Sequence, residues 1–343
     1  MAKKVTLADI AAKVGVSNVA VYKALSGKPG VSDDLRVKIK MLAEEMGYKN
    51  TASEKEKTAD RTGNIGVIAP EQYCIFSTSF YGQLYEKVVK ALYRSNYYGI
   101  LELLTAEDEK KGRMPKVLKE GKVDGLILLG QMREEYIDMM VKQTRLPVYF
   151  LDTYQPQMNL DTVISDGYHG TYMLTRYLIA QGHRRIGFVG SVEATSSIAD
   201  RYWGYRRALR ESGIVYQDSW EIPDRDAKGT TYENIIQDAG DLEAFVCNCD
   251  YAADVVMQNL KELGYGIPED ISVVGFDDFL PIGMEGNRVT TYEVDMEKMA
   301  DVCVKSLIKK IDGKKYFEGI QIVPGKIIDR GTVAARKHTG NGK

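Results

Sequence analysis

Ser17-Asn-Val-Ala-Val-Tyr-Lys-Ala-Leu-Ser26 decides how the rest of the chain is read. Its apolar residues Val21, Ala24 and Leu25 fall on one helical face, and Asn18, Val19, Tyr22 and Lys23 fall on the other. Ser17 can accept from the first free backbone amides, and Gly15-Val16 supplies a tight turn out of a preceding helix. A short helix that packs by one face and shows an adaptable polar face outward suits a reader of DNA bases.

Working outward, Thr6-Leu-Ala-Asp9 has the form of a capping box, and Leu7, Ile10, Ala11 and Val14 make the apolar stripe of a first helix. After Gly27-Lys-Pro-Gly30 a third helix is expected from Ser32, with Asp33 and Asp34 at the positive end of its dipole and Leu35, Ile39, Leu42 and Met46 turned inward; Gly47 stops it. Three short helices with a tight junction between the first two make a helix-turn-helix, whose second helix enters the major groove.

The totals are those of a soluble globular protein: 343 residues, 44% apolar, 27% charged. That length favours two or three folding units. No apolar run is long enough to span a membrane, and the first residues carry charge without a hydrophobic core, so a cytoplasmic location is expected. Residues 1–50 hold nine Lys/Arg against five Asp/Glu, while the remainder holds 37 against 43. A mildly basic head on an acidic body is consistent with phosphate contact at one end and equally with uneven surface charge. Cys74, Cys247, Cys249 and Cys303 are too scattered for a disulfide framework. Cys247-Asn-Cys249 lacks zinc-ligand spacing, so buried thiols and no metal are expected.

The run Val5-Thr-Leu-Ala-Asp-Ile-Ala, Gly-Val-Ser17, Ala20-Val-Tyr-Lys-Ala-Leu-Ser, Gly30-Val-Ser32 and Met46-Gly-Tyr48 resembles the head of the lactose-repressor (LacI/GalR) family of bacterial transcription regulators. The resemblance implies base contacts at Asn18, Val19, Tyr22 and Lys23, with Thr6, Ser17 and Ser26 completing the DNA-binding set. Tyr22 and Lys23 stand where the family commonly has serine and arginine. Lysine reaches guanine O6 and N7 without the planar fork of arginine, so the base preference of relatives does not carry over. Residues 49–62 read as a polar linker. The family places a hinge helix there, introduced by a Pro-Asn pair and carrying a leucine that wedges into the minor groove. This stretch has neither that proline nor any leucine.

From Gly63 onward, apolar runs such as Ile65-Gly-Val-Ile-Ala, Gly99-Ile-Leu-Glu-Leu-Leu, Gly125-Leu-Ile-Leu-Leu and Val148-Tyr-Phe-Leu alternate with amphipathic segments near 80–96, 114–121 and 134–144. The plan repeats with Ile186-Gly-Phe-Val, Ala244-Phe-Val-Cys and Ile271-Ser-Val-Val, separated by helices near 170–181, 200–212 and 251–263. Such alternation implies parallel sheets with right-handed crossovers and a ligand cleft beyond the strand ends.

Gly182-His-Arg-Arg-Ile-Gly-Phe-Val-Gly, Asp200-Arg201 with Gly204-Tyr-Arg-Arg-Ala-Leu, and Ile267-Pro-Glu-Asp-Ile-Ser-Val-Val-Gly-Phe-Asp-Asp278 are similar to the effector domain of the same family. The expected fold is therefore α/β: an all-α head joined to a two-lobed, periplasmic-binding-protein-like domain with parallel sheets. The expected divisions are a DNA-binding head over 1–48, the linker over 49–62, an N-lobe over 63–161 plus 290–323, a C-lobe over 162–289 plus 324–336, and a disordered tail over 337–343. The resemblance places Phe80, Tyr81, Asp152, Arg201, Arg225, Asp250 and Asp277 at the effector pocket. Carboxylates with an arginine can chelate neighbouring hydroxyls, and an aromatic face can cover a pyranose. Asp166, Asp250 and Asp277 can equally cap the helices or turns that follow them. Asp224 and Arg225 compete for one pocket position.

Nucleotide-binding, P-loop and nucleophile-elbow motifs are missing, so neither catalysis nor a cofactor is expected. His183, in the Gly-His-Arg-Arg motif, suits a structural role. The expectation is a homodimeric regulator, a repressor in the first instance, that reads an inverted-repeat operator in double-stranded DNA and is switched by a sugar, without membrane contact. An activator or corepressor-dependent regulator shares every one of these signals. A transport receptor would instead carry an export signal and no head.

Overall fold

The computed structural model describes residues 5–25, 28–46, 48, 61–73, 79–155, 158, 160–226, 229–279 and 289–336. Ser26, Gly47, Cys74, the linker except for Arg61 and Thr62, and the expected tail lie outside the described residues. The chain divides into two compact units, Met1–Thr62 and Gly63–Lys343.

In the first unit, α1 (Leu7–Val14), α2 (Asn18–Leu25) and α3 (Asp33–Glu45) enclose a small core. Ile10, Ala11, Val21, Ala24, Ile39 and Ala43 are buried, with Leu25, Leu35, Leu42 and Met46 packed around them. The predicted stripes therefore face inward on all three helices. Thr6 and Asp9 close the capping box reciprocally: the Asp9 amide donates to Thr6 Oγ1 at 3.3 Å and the Thr6 amide donates to Asp9 Oδ2 at 2.7 Å. Gly15 ends α1 in the left-handed conformation, at φ 76°.

The second unit holds two six-stranded sheets. The first lobe contains β1 (Asn64–Pro70), β2 (Tyr98–Leu104), β3 (Gly125–Leu129), β4 (Val148–Leu151) and β5 (Thr162–Ser165); the second contains β6 (Ile186–Val189), β7 (Glu221–Ile222), β8 (Ala244–Cys247), β9 (Ser272–Asp277) and β10 (Thr290–Glu293). β11 (Ile320–Val323) returns to the first sheet and β12 (Lys326–Ile328) to the second. The strand orders are β11-β5-β4-β3-β1-β2 and β12-β10-β9-β8-β6-β7. Among the described residues, all strand pairings within the two sheets are parallel except β10 with β12. Central strands such as Gly125-Leu-Ile-Leu-Leu are buried along their whole length, as a sheet covered on both faces requires.

The helices of this unit are α4 (Phe80–Arg94), α5 (Ala106–Lys110), α6 (Lys116–Lys119), α7 (Glu134–Gln143), α8 (Gly167–Ala180), α9 (Ser196–Glu211), α10 (Asp250–Glu262) and α11 (Met296–Ile311). The helix expected over 114–121 shrinks to the single turn of α6, bounded by Pro115 and by Gly121 at φ 60°. Asp166 caps α8, its carboxylate accepting from the His169 amide at 3.2 Å.

Two expected lobe boundaries move by a few residues. β5 pairs with β4 and β11, so the first crossing follows Ser165 rather than preceding residue 162. β10 pairs with β9, so 290–293 belong to the second lobe and the chain returns only with α11, which packs on α4 and β4. Both strands are short and begin with threonine, and each leads directly into a helix of the other lobe.

Candidate functional site

On the head, α2 presents the residues expected to meet DNA. Ser17, Asn18 and Val19 are exposed, and Tyr22 and Lys23 are half-buried, while Val21 and Ala24 anchor the opposite face. Ser17 Oγ accepts from the Ala20 amide at 3.2 Å, so it holds the start of the helix. Thr6 is exposed, but its hydroxyl donates to Asp9 Oδ2 at 2.6 Å. Arg36 of α3 donates to the carbonyls of Lys23, Ala24 and Lys28 and fixes the end of α2. The sequence reading passed over Lys28 as part of a turn. Its ammonium donates to the Tyr22 hydroxyl at 3.1 Å and lies 5.0 Å from the Tyr22 ring centroid. Tyr22 thus brings a second cation to the face that carries Lys23.

In the second unit the candidate pocket lies between the lobes, where strand ends and helix starts meet. The first lobe contributes Phe80 and Tyr81 at the start of α4 and Asp152 immediately after β4. Tyr81 donates its hydroxyl to Asp152 Oδ2 at 3.0 Å. Asp152 is 5% exposed, at φ 58°, and its other oxygen, Oδ1, has no hydrogen-bond partner among the described residues. Burial pushes its pKa up to about 6, against the opposing pull of Arg201 and the Tyr81 hydrogen bond.

The second lobe contributes Arg201, buried on α9. Its Nη1 donates to the Asn248 carbonyl at 2.7 Å and its guanidinium lies 4.1 Å from the Phe276 ring centroid. Its Nε is buried without a hydrogen-bond partner among the described residues. Asp277, at the end of β9, accepts from the Phe279 amide at 3.0 Å in a tight turn at φ 95°. Burial raises it to about 7, with Arg201 pulling in the other direction. Arg201 therefore acts on a carboxylate from each lobe.

Asp250 and Arg225 take supporting positions. Asp250 is 2% exposed and accepts from the Thr291 hydroxyl at 2.6 Å. Its carboxylate occupies the space beside Gly275 where any Cβ would overlap it. Burial and the neighbouring Asp277 push its pKa well above the usual carboxylate range. Arg225 grips fully buried Asp224 with Nε at 3.0 Å and Nη2 at 2.6 Å, and also donates to Asn248 Oδ1 at 3.2 Å. Burial would raise Asp224, but Arg225 and Asn248 keep it below its ordinary value. Of the two competing positions, Asp224 is the sealed one and Arg225 the more accessible. Cys249 caps α10 through its sulfur, and burial lifts its thiol to about 12.

Several pocket residues carry no motif that sequence reading could use. Asn248 joins Arg201, Arg225 and Asp224 in one network. Across the lobes, Tyr154 donates to Asp200 Oδ1 at 2.7 Å, Ser196 donates to Gln131 at 3.4 Å, and the rings of Phe80 and Phe279 meet edge to face at 6.1 Å. Each of these contacts exists only because the lobes face each other.

Residues 175–333 match the model of a periplasmic binding protein-like domain. The chain is 24% identical over 334 residues to the HTH-type transcriptional repressor PurR of Pectobacterium carotovorum subsp. carotovorum, covering 96% of this chain and 97% of that one. It is 27% identical over 338 residues to the HTH-type transcriptional regulator RegA of Clostridium saccharobutylicum, covering 95% and 98%. Among solved structures, the transcriptional regulator CelR–cellobiose complex superposes with a TM-score of 0.69 at 22% identity, covering 96% of this chain and all of that one. A lac repressor dimer bound to operator and the anti-inducer ONPF superposes with a TM-score of 0.67 at 21% identity, covering 97% and 100%. Among the described residues no helix is long and apolar enough to cross a membrane. With a three-helix head, two parallel-sheet lobes and relatives matched along nearly their whole length, the chain is similar throughout to HTH-type transcriptional regulators and shares the fold of the lac repressor.

Proposed function

We propose that this regulator is a repressor that binds an inverted-repeat operator as a homodimer through α2 and is switched by a sugar or related polyol held between its lobes. In this reading residues 1–48 form the DNA-binding head, 49–62 join it to the effector domain, and the lobes exchange chain after Ser165, after Glu293 and after Val323. The DNA set is Thr6, Ser17, Asn18, Val19, Tyr22, Lys23 and Ser26, with Lys28 added beside Tyr22. One head buries little DNA surface, whereas two on a twofold axis read two half-sites. The lac repressor relative seen as an operator-bound dimer supports that arrangement.

The single observation that carries the ligand class is the pair of buried, unsatisfied groups Asp152 Oδ1 and Arg201 Nε, an acceptor and a donor. Unpaired buried polar groups are costly, and a hydroxyl, which both donates and accepts, can relieve either of them. Phe80 and Phe279 supply apolar ring faces for the carbon skeleton, Tyr81 and Asp277 supply further polar contacts, and Arg225 and Asp250 hold the network behind them. The cellobiose complex of CelR agrees with that chemistry.

Ligand binding acts by favouring one lobe arrangement over another, and only a difference in affinity for the two can shift DNA binding. A thermal-shift screen of the full chain against a sugar panel, followed by operator titrations with the best hit, tests the proposal. A sugar inducer raises the melting temperature and weakens operator binding. A hit that tightens operator binding makes the molecule a corepressor, and a panel with no hit removes the sugar reading.

A further inference from the structure

From its middle to its C-terminal end, beyond Arg201, α9 carries Trp203, Arg206, Arg207 and Arg210, whose spacing places them along one helical stripe. The stripe borders an open groove of about 800 Å³ that Tyr168 and Val215 also line. Trp203 is 56% and Val215 83% exposed.

Two of these three cations, Arg206 and Arg207, are held in place. The Arg206 guanidinium lies 3.5 Å from the Tyr216 ring centroid and donates to the Tyr202 hydroxyl at 2.6 Å. Arg207 sits over the Tyr172 ring at 5.2 Å and donates to Glu211 at 2.7 Å. Gly204 lets α8 and α9 press together, since a Cβ there would overlap the Tyr168 carbonyl. Among the described residues Arg207 is paired with Glu211, whereas Arg206 and Arg210 have no carboxylate partner. Two uncompensated guanidiniums therefore stand beside an exposed indole on a rigid helix pair, in a body whose overall balance is acidic.

Tryptophan, tyrosine and arginine are the residues that dominate protein-binding hot spots. The groove is too open to enclose a small ligand, which ordinarily loses most of its surface on binding. A second copy placed on it across a twofold axis would set guanidinium against guanidinium.

We propose that this face of α9 docks an acidic protein segment, which presents carboxylates to Arg206 and Arg210 and an apolar side chain to Trp203 and Val215. The test uses the full chain and a short fluorescent peptide rich in glutamate around a central Trp-Leu pair, followed by anisotropy. Saturable binding is expected. It should weaken about tenfold or more in Trp203→Ala and in the double variant Arg206→Glu/Arg210→Glu. A lysine-for-glutamate peptide should prefer the double variant. Arg210→Glu alone, exposed and unpaired, gives a smaller loss in the same direction, and thermal melts show that each variant is folded. Undetectable binding at millimolar peptide overturns the proposal, as does equal binding by wild type and variants. So does equal binding of a glutamate peptide without the Trp-Leu pair, which marks a mere polyanion site. Affinity for a random-sequence DNA duplex that falls in the double variant would make the patch a nucleic-acid contact and overturn it too.

Discussion

On α2 the residues proposed to meet DNA stand at the surface, with Val19 62% exposed and Ser17 and Asn18 exposed beside it. In the proposed effector cleft Asp152, Arg201, Asp250 and Asp277 range from 2% to 7% exposed. Surface readers act nearly independently, because water satisfies each of them until DNA arrives. Cleft residues set one another's ionisation, because burial removes the water and leaves only neighbours to answer a charge. Substitutions in the two regions should therefore fail differently: a change on α2 alters a partner's affinity and leaves the fold intact, whereas a change in the cleft alters the domain that carries it.

The largest effect is expected at Arg201. Arg201→Ala removes the cation that opposes the raised pKa values of both Asp152 and Asp277. Breaking a buried charged network by deleting one partner costs about 3–5 kcal/mol. The variant should also lose the ligand-induced stabilisation, about 2.7 kcal/mol at a hundredfold excess over the dissociation constant. Differential scanning fluorimetry with and without the best sugar measures both, and an unchanged ligand shift would place Arg201 outside the site.

A second contrast lies in pH. Asp277, at about 7, and Asp152, at about 6, bind protons in the folded protein that the unfolded chain, with carboxylates near 4, has already released. The folded state therefore holds more protons than the unfolded state between about pH 4 and pH 7, and effector-domain stability falls as pH rises through that window. The slope can reach about 1.4 kcal/mol per pH unit for each group. Asp277→Asn should make it shallower in urea melts taken across the window, with Asp152 and Asp250 supplying what remains. An equally steep slope in the variant would mean that Asp277 is already ionised at low pH.

On the surface side, Lys23→Ala should leave melting unchanged and cost about 1–3 kcal/mol on the preferred operator, with relaxed preference at one base position. Equal weakening on all DNA, with a shallower salt dependence, would assign Lys23 to phosphate. Lys28 bonded to Tyr22 sharpens this test, because Lys28→Ala takes the ammonium away from the Tyr22 hydroxyl and changes what stands beside Lys23.

The two regions also differed in how far the sequence disclosed them. The head was legible because its information is local: a capping box, a stripe of Val21, Ala24 and Leu25, and a turn at Gly15 all act within a few residues. Buried strands such as β3 and β8 announced themselves as unbroken apolar runs. β5 and β10 did not, since Thr162-Val-Ile-Ser165 and Thr290-Thr-Tyr-Glu293 are short and half polar, and only pairing with distant strands fixes their lobe. Asp152 and Arg201 stood out through family motifs, but Asn248, Tyr154 and Phe279 gain their roles from chain segments tens of residues away. The Asp224–Arg225 ambiguity had the same origin. One is sealed and one half-accessible, and nothing in their adjacent positions tells which.

The smallest expected effect tests whether the surface residues are as independent as this contrast holds. Thr6 was assigned to DNA by resemblance, yet its hydroxyl and amide are both committed to Asp9 within the capping box. If capping is its main work, Thr6→Ala should lower head stability by about 1 kcal/mol, and operator affinity should fall only as far as the unfolded fraction rises. Thr6→Asp, made together with Asp9→Asn so that no carboxylate faces it, separates the two roles: an aspartate still caps the helix but repels a phosphate. A head with both changes that melts like wild type yet binds all DNA less tightly, most of all at low salt, would put Thr6 on the DNA backbone as well as on α1. One that melts and binds like wild type would leave Thr6 a cap alone, and the DNA-reading surface would then begin at Ser17.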